Sequence, residues 1–320
     1  MEAFMFKGKE YIYEVYKTRN FSKAATNLFI SQPSLSATVK KIEQRLGTPI
    51  FDRSVNPIQL TECGQKYIQY IEQIFDLEND FKAYLNDITT LNTGHLTIGG
   101  SNLFSSYILP SFVSGFIARY PNIDVKLIED NTKSLETLLS KGSLDLLIDY
   151  SALNPSAYDR ALFGSEHLLL AVPRHYSVNE MLTDSVLMQE EILQDTYLED
   201  NVPTVSLKLF QDLPFVLMRP GNNTREHSNR LFKAFKIAPP VILELDQQAT
   251  SYHITCSGMG ISFISDTLIK QTPYDPRVCY YKIDSKHTRR NIYFYYKHTK
   301  YMSQAMKAFL HLSCHDFDKQ

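Results

Sequence analysis

Phe21-Ser22-Lys23-Ala24-Ala25-Thr26-Asn27-Leu28-Phe29-Ile30-Ser31-Gln32-Pro33-Ser34-Leu35-Ser36-Ala37-Thr38-Val39-Lys40-Lys41-Ile42-Glu43-Gln44-Arg45-Leu46-Gly47 carries two helical signals separated by a tight turn. Ser22 stands in an N-cap position ahead of a short helix of small residues. Ala24 and Ala25 let a second helix cross at close range. Ser31 is a second cap, with Pro33 in the first turn, where proline loses nothing by lacking an N–H. Leu35, Val39, Ile42 and Leu46 then recur at helical spacing, and Gly47 is placed as the stop.

Upstream, Tyr11, Ile12, Val15 and Tyr16 form another helical stripe, broken at Asn20-Phe21. Downstream, Pro49 to Ser54 and Ile58-Gln59-Leu60 flank a turn at Val55-Asn56-Pro57, which reads as a two-stranded wing. The pattern fits a winged helix-turn-helix whose second helix turns Gln32, Pro33, Ser36, Ala37 and Lys40 to solvent. A plain three-helix bundle with a hairpin has the same periodicity. On the first reading Gln32 is the base reader, since its amide pairs bidentately with adenine. Ser22, Ser31, Ser34, Ser36 and Thr38 reach phosphates or bases, Lys40 and Lys41 supply charge, and Arg53 near the wing tip reaches a phosphate or the minor groove.

Charge supports this division. The chain has 320 residues and a net charge of −2, but residues 1–65 carry nine Lys/Arg against six Asp/Glu, leaving the remainder acidic. With 43% hydrophobic and 21% charged residues it is of globular composition, and its length predicts two or three domains. Apolar runs such as Leu168 to Val172 are too short to span a bilayer, and the charged N-terminus has no signal-peptide core. A cytoplasmic protein without membrane contact is expected. Cys63, Cys256, Cys279 and Cys314 are widely spaced and read as reduced, structural thiols.

Thr61 caps a helical stretch to about Leu91, with a seam at Tyr67, Ile71, Ile74, Phe81, Leu85 and Ile88. One stripe on so long a helix must bury against something, either a second copy or the chain's own body. From His95 strands alternate with helices: Leu96 to Gly99, a helix through Phe112 and Phe116, Asn122 to Leu127, a helix at Leu135 to Ser140, and Leu144 to Asp149. The order repeats from Phe215 to Met218, through a helix at Arg225 to Phe235, Val241 to Leu245, a helix at Ala249 to Cys256, and Gly260 to Ile264. Parallel sheets with right-handed crossovers follow. Glu166 to Val172 and a segment near Val278 to Ile283 join the two units across one cleft. Ligands in open α/β sheets bind at the strands' C-terminal ends. That puts the loops at Gly100 to Phe104, Asp149-Tyr150, Gly221 to Thr224 and Gln247-Gln248 around a small, anionic ligand. Helix capping is the plain alternative for Ser101 and Thr224. Arg225 reads as a carboxylate partner or, preferably, a brace at the sheet edge. The acidic stretch His175 to Val205 reads either as a solvated excursion or as a lobe-to-lobe or subunit contact, and its sequence does not decide between them.

The ordered residues Phe21-Ser22-Lys23-Ala24-Ala25, Leu28, Ile30 to Ser36, Ile42-Glu43, Leu46-Gly47, Ile50 to Arg53 and Leu60 to Gly64 resemble the N-terminal domain of LysR-type transcriptional regulators. The resemblance implies a winged helix-turn-helix on an interrupted promoter dyad, and linker helices that pair antiparallel. It also implies an effector pocket in the cleft that draws on Ser101, Asn102 and Thr224. Two departures stand out: Ala37 replaces a usual arginine, and Val55 to Gln59 replaces a basic wing, so weaker non-specific DNA binding is expected. Peroxide-sensing members use a cysteine pair where this chain has Asn223 and Phe232.

The expected fold is α/β: a winged helix-turn-helix head (1–61), a linker and dimerisation helix (62–92), and a periplasmic-binding-protein-like effector domain (93–320). Its first lobe is about 93–165 with 273–320, its second about 166–272. Effector contacts are assigned to Ser101, Asn102, Tyr150, Asn223, Thr224 and Gln247. Partners are promoter DNA, a second copy or a dimer of dimers, and RNA polymerase. GxGxxG, Walker A, GxSxG and HExxH motifs are absent from the sequence, so no catalytic residue and no cofactor is assigned. His311, Cys314 and His315 near the C-terminus are weak candidates for a metal. Rival readings are a cytosolic two-lobe binding protein and a regulator governed by a protein partner.

Overall fold

The structure is a computed structural model that describes residues 5–89, 94–150 and 152–314. The chain forms two compact units, Met1–Tyr84 and Leu85–Gln320. The first contains α1 (Lys9–Thr18), α2 (Phe21–Asn27), α3 (Gln32–Leu46), β1 (Phe51–Asp52), β2 (Gln59–Leu60) and most of α4 (Glu62–Thr89). Ile12 and Val15, Ala24 and Ala25, and Leu35, Val39 and Ile42 are all buried, so the three stripes meet in one core. Ser31 caps α3 by accepting from Ser34 N, and Gly47 ends it in the left-handed conformation at φ +73°. β1 and β2 pair antiparallel as the wing. One detail differs: α2 begins at Phe21, and its cap is Asn20, whose side chain accepts from Lys23 N, with Ser22 exposed inside the first turn.

α4 packs on this core through its N-terminal half. Thr61 donates to Pro49 O at 2.7 Å and accepts from Gly64 N at 2.9 Å. A Cβ at Gly64 would stand 2.0 Å from Ile50 O, so only glycine permits this approach. Tyr67, Ile68 and Ile71 are buried in the head, whereas Leu77 and Phe81 are 68% and 60% exposed. The expected seam is therefore two faces: Tyr67 and Ile71 are core, and only the second half of the helix offers an apolar stripe to anything else. The side chain of Ile88 and the linker's end at residues 90–92 lie outside the described residues.

The second unit opens with β3 (Gly94–Gly100), α5 (Leu109–Arg119), β4 (Ile123–Glu129), α6 (Thr132–Ser140), β5 (Leu146–Asp149) and β6 (Tyr158–Pro173). α7 (Gln189–Leu193), β7 (Phe215–Met218), α8 (Asn223–Phe235), β8 (Val241–Leu245), α9 (Gln248–Cys256), β9 (Ser262–Ser265) and α10 (Asp266–Gln271) follow. β10 (Val278–Tyr281), β11 (Arg289–Lys297) and α11 (Gln304–Ser313) complete it. One lobe has the order β4-β3-β5-β11-β6, with β3 parallel to β4 and β5. In the other, β10 and β9 flank the far half of β6, Ile261 bridges to Phe215, and β7 runs parallel to β8.

β6 belongs to both lobes: residues through His167 pair with β11, and Leu168 to Pro173 pair with β9 and β10. This corrects the expected lobe boundary. Val278–Tyr281 pairs with Leu170 to Pro173, so it belongs to the second lobe, and the return crossing falls after Ser285, where Arg289 begins pairing with His167.

The stretch 175–205 is not the solvated excursion that is one of its two readings. Leu187, Ile192, Tyr197 and Val205 are buried, with Ile192 fully enclosed, and its acidic side chains line the outside. The Tyr197 hydroxyl donates to the buried Asp266 at 2.7 Å. Short helical turns pack its apolar residues into the second lobe, and their spacing is too irregular for a periodic signal.

Candidate DNA-binding face and effector cleft

On α3, Gln32, Pro33, Ser34 and Lys40 are exposed, with Lys41 beside them, and Ser36 and Thr38 are half-buried. Gln32 Nε2 donates to Ser36 Oγ at 3.0 Å, which holds the amide along the helix. Thr38 Oγ1 donates to Ser34 O at 2.9 Å. Ser31 Oγ is engaged as the helix cap.

Arg53 is more constrained than its wing position implies. Its Nη2 donates to Glu43 Oε2 at 2.9 Å, and its guanidinium lies 5.0 Å from the Phe21 ring centre. Glu43 Oε1 also accepts from Ile50 N and Phe51 N. One carboxylate thus ties the wing to α3. Glu43 was part of the quoted motif, but spacing alone did not assign it this role.

In the second unit the loops after β3, β4, β7 and β8 converge on a cleft of about 610 Å³, lined by Ser101, Asn102, Glu129, Thr132, Asn222 and Gln247 among others. A recess of about 60 Å³ shares Ser101, Thr132, Asn222, Asp246 and Gln247 with it and adds Leu103, Asp149, Tyr150, Asn223, Thr224, Gln248 and Arg290. All six residues assigned to the effector line one or both spaces. Every contributing loop follows a parallel strand's C-terminal end, as open sheets dictate.

Charge in the cleft is mixed. Asn102 Nδ2 donates to Glu129 at 3.0 Å, and Arg219 pairs with Asp246 at 2.8 Å. Thr224 does not cap α8: Asn222 does, accepting from Thr224 N at 2.9 Å. The Thr224 hydroxyl is buried and accepts from Arg290 Nη1 at 2.9 Å and Gln248 Nε2 at 3.3 Å. Arg225 braces the sheet instead, donating to Met218 O and Glu244, and it does not line the cleft.

Sequence reasoning missed the group that joins these loops. Arg290 and Glu166 face each other across β11 and β6, 5% and 1% exposed. Arg290 Nε donates to Glu166 Oε1 at 2.6 Å, and Nη1 reaches Asn223 Oδ1 at 3.1 Å as well as Thr224. The guanidinium carbon stands 3.8 Å from the Tyr150 ring centre. One cation therefore touches both lobes and the crossing strand. Burial keeps the Tyr150 hydroxyl protonated far above the usual tyrosine range, against the opposing pull of Arg290. Glu166 beside it also favours the protonated form, and among the described residues the hydroxyl makes no hydrogen bond of good geometry.

Cys256, Cys279 and Cys314 are buried and Cys63 half-buried, all with free thiols. Burial pushes the Cys256 thiol up to about 11. His315 lies outside the described residues, and among those described no three His, Cys, Asp or Glu side chains are grouped to hold a metal ion. No helix among them is long and apolar enough to cross a membrane.

Comparison with known proteins places the whole arrangement. Residues 7–65 match the family model of the bacterial regulatory helix-turn-helix protein, lysR family, and residues 89–314 match the LysR substrate binding domain. The chain belongs to the LysR-type family: it is a DNA-binding transcriptional regulator with an effector-binding domain, and not an enzyme. It is 29% identical over 308 residues to the uncharacterized HTH-type transcriptional regulator YcgK of Bacillus subtilis, covering 96% of this chain and 93% of YcgK. Its fold resembles full-length CbnR complexed with its target DNA, with a TM-score of 0.63 at 17% identity over 95% of this chain and 96% of CbnR. It also resembles the Synechocystis CcmR regulatory domain in complex with 2-PG, with a TM-score of 0.57 at 20% identity, covering 69% of this chain and 96% of that domain.

Proposed function

We propose that this regulator reads promoter DNA with α3, through Gln32 and the flanking Ser31, Pro33, Ser34, Ser36, Thr38, Lys40 and Lys41, and answers to one small anion held between its lobes. Ser22 and Arg53 serve the same face, Arg53 through its tie to Glu43. Ser101, Asn102, Tyr150, Asn223, Thr224 and Gln247 receive the ligand. Residues 1–61 act as the head, 62–92 as the linker, and the remainder as two lobes, 94–165 with 289–314 and 168–285. The observation that carries the reading is Arg290, which contacts Glu166, Thr224 and Tyr150 at once, so a ligand in the recess acts on both lobes and the strand between them.

Glu129, Asp130 and Asp246 outnumber Lys133 and Arg219 in the cleft, and Asp246 also lines the recess, which disfavours a second negative group and points to a compact ligand with one anionic end. The complex of CcmR with 2-PG supports a small ligand on this fold. Closure or rotation of the lobes alters the spacing of heads in a dimer or dimer of dimers, and so the bend in DNA. The second half of α4 supplies the dimer contact, with RNA polymerase as a further partner and the cytoplasm as the compartment.

The test is a fluorescence-anisotropy titration with the duplex upstream of the chain's own gene and a scrambled control. A preference of ~10³ for the native duplex is expected, lost in Gln32→Ala with non-specific affinity retained. Equal binding to both duplexes argues against this operator assignment. If no small anion raises the melting temperature while DNA specificity holds, control by a protein partner takes precedence.

A further inference from the structure

Phe29 sits in the turn between α2 and α3, three residues ahead of Gln32, and its side chain is 96% exposed. No other exposed large hydrophobic residue among those described is so open. Its neighbours Leu28 and Ile30 pack against the head's core. Its backbone is left-handed at φ +57°, a conformation that bulky side chains rarely adopt. The turn imposes that angle: Phe29 N donates to Thr26 O and Ile30 N to Ala25 O, both at 3.1 Å. Glycine or asparagine would meet the same geometry with less strain. Among the described residues three other non-glycine positions have positive φ, Arg19, Asp195 and Lys236, and all carry charged groups that water solvates.

Phe29 thus combines an unfavourable backbone with an apolar ring that packs against almost nothing in its own unit. Backbone strain of this kind clusters at functional sites. The N-terminal turn of a recognition helix meets the base edges, so the residue just ahead of it lies at the rim of the groove. We infer that Phe29 is a DNA-contacting residue whose ring rests on apolar duplex surface, a thymine C5-methyl or a deoxyribose face. The inference rests on DNA reading by α3 and adds a contact that is neither a hydrogen bond nor a charge.

Full-length Phe29→Gly and Phe29→Asn test it, both residues being suited to the left-handed turn. The probe is a labelled duplex carrying the sequence that the wild-type chain enriches from a randomised pool. The melting temperature should hold or rise, while affinity falls about tenfold, equivalent to 1.4 kcal/mol. The dependence of log K on log salt should keep its slope, because no phosphate contact is lost. Replacing thymine by uracil then locates the contact: a loss in the wild type that vanishes in Phe29→Gly assigns the methyl group, and an equal effect in both assigns the sugar. Wild-type affinity in both variants overturns the inference. So does a melting temperature that falls in step with affinity, or a changed sedimentation coefficient with DNA binding intact. Failure of the wild-type chain to enrich any sequence would count against the DNA-reading assignment itself.

Discussion

Replacing Arg290 by alanine should cost the second unit roughly 3–5 kcal/mol, the usual consequence of leaving a buried charge without its partner. The structure fixes what is lost. Glu166 is 1% exposed and would keep its carboxylate in a site with little water. Asn223 and Thr224 would lose donors at 3.1 and 2.9 Å, and Tyr150 the cation 3.8 Å from its ring. In a unit of this size each kilocalorie moves the melting temperature by roughly 2–4 °C, so a fall of roughly 6–20 °C follows. Scanning calorimetry of the full chain resolves it if the transition of the α/β unit moves and that of the head does not. The double variant Arg290→Met with Glu166→Leu should recover most of the loss, since apolar residues of similar volume substitute for a buried pair at little cost. A fall of only about 2 °C in Arg290→Ala, or a double variant no better than the single, would refute the claim that this pair holds the crossing strands and both lobes together.

Two further outcomes follow from the same structure. Ile71→Asp should unfold the head, because Ile71 is fully buried there, whereas Phe81→Glu should leave its melting transition intact and yield lower-order species in sedimentation. An intact oligomer in Phe81→Glu would remove the second half of α4 from the interface. The His227 imidazole is held below its ordinary value by burial, opposed by its 2.7 Å contact with His287 O. Its neutral form is therefore favoured in the folded chain. Stability from it is complete above the unfolded value of about 6.5 and declines as pH falls from there toward the lower folded value. Urea midpoints between pH ~7.5 and ~5.5 should drop in the wild type and drop less in His227→Gln. Equal slopes would assign the change to other groups such as His167, which burial also holds low.

The head was legible because its signals are local. Ser31, Gln32 to Leu46 and Gly47 lie within one helix, and its cap, stripe and stop stand within a few turns of each other. β7 likewise falls on Phe215 to Met218, as its apolar run implies. Adjacent candidates were harder. Asn20 and Ser22 are both good caps, and the turn after α1 determines that Asn20 takes the role. The stripe on α4 showed that something must cover it, but one periodicity served two coverings, the head's own core for Tyr67 and Ile71 and a free surface for Leu77 and Phe81.

Periodicity, caps and turn residues in the sequence determine the helix-turn-helix, the two β-α-β units and the loops at their strand ends, because each depends on neighbours a few residues apart. Tertiary structure alone decides which side chains those loops surround. Arg290 meets Glu166 across 124 positions, and Tyr197 meets Asp266 across 69. No spacing rule links residues so far apart. Their pairing follows from strand register and from the cost of burying a charge without a partner, and both exist only once the chain has folded.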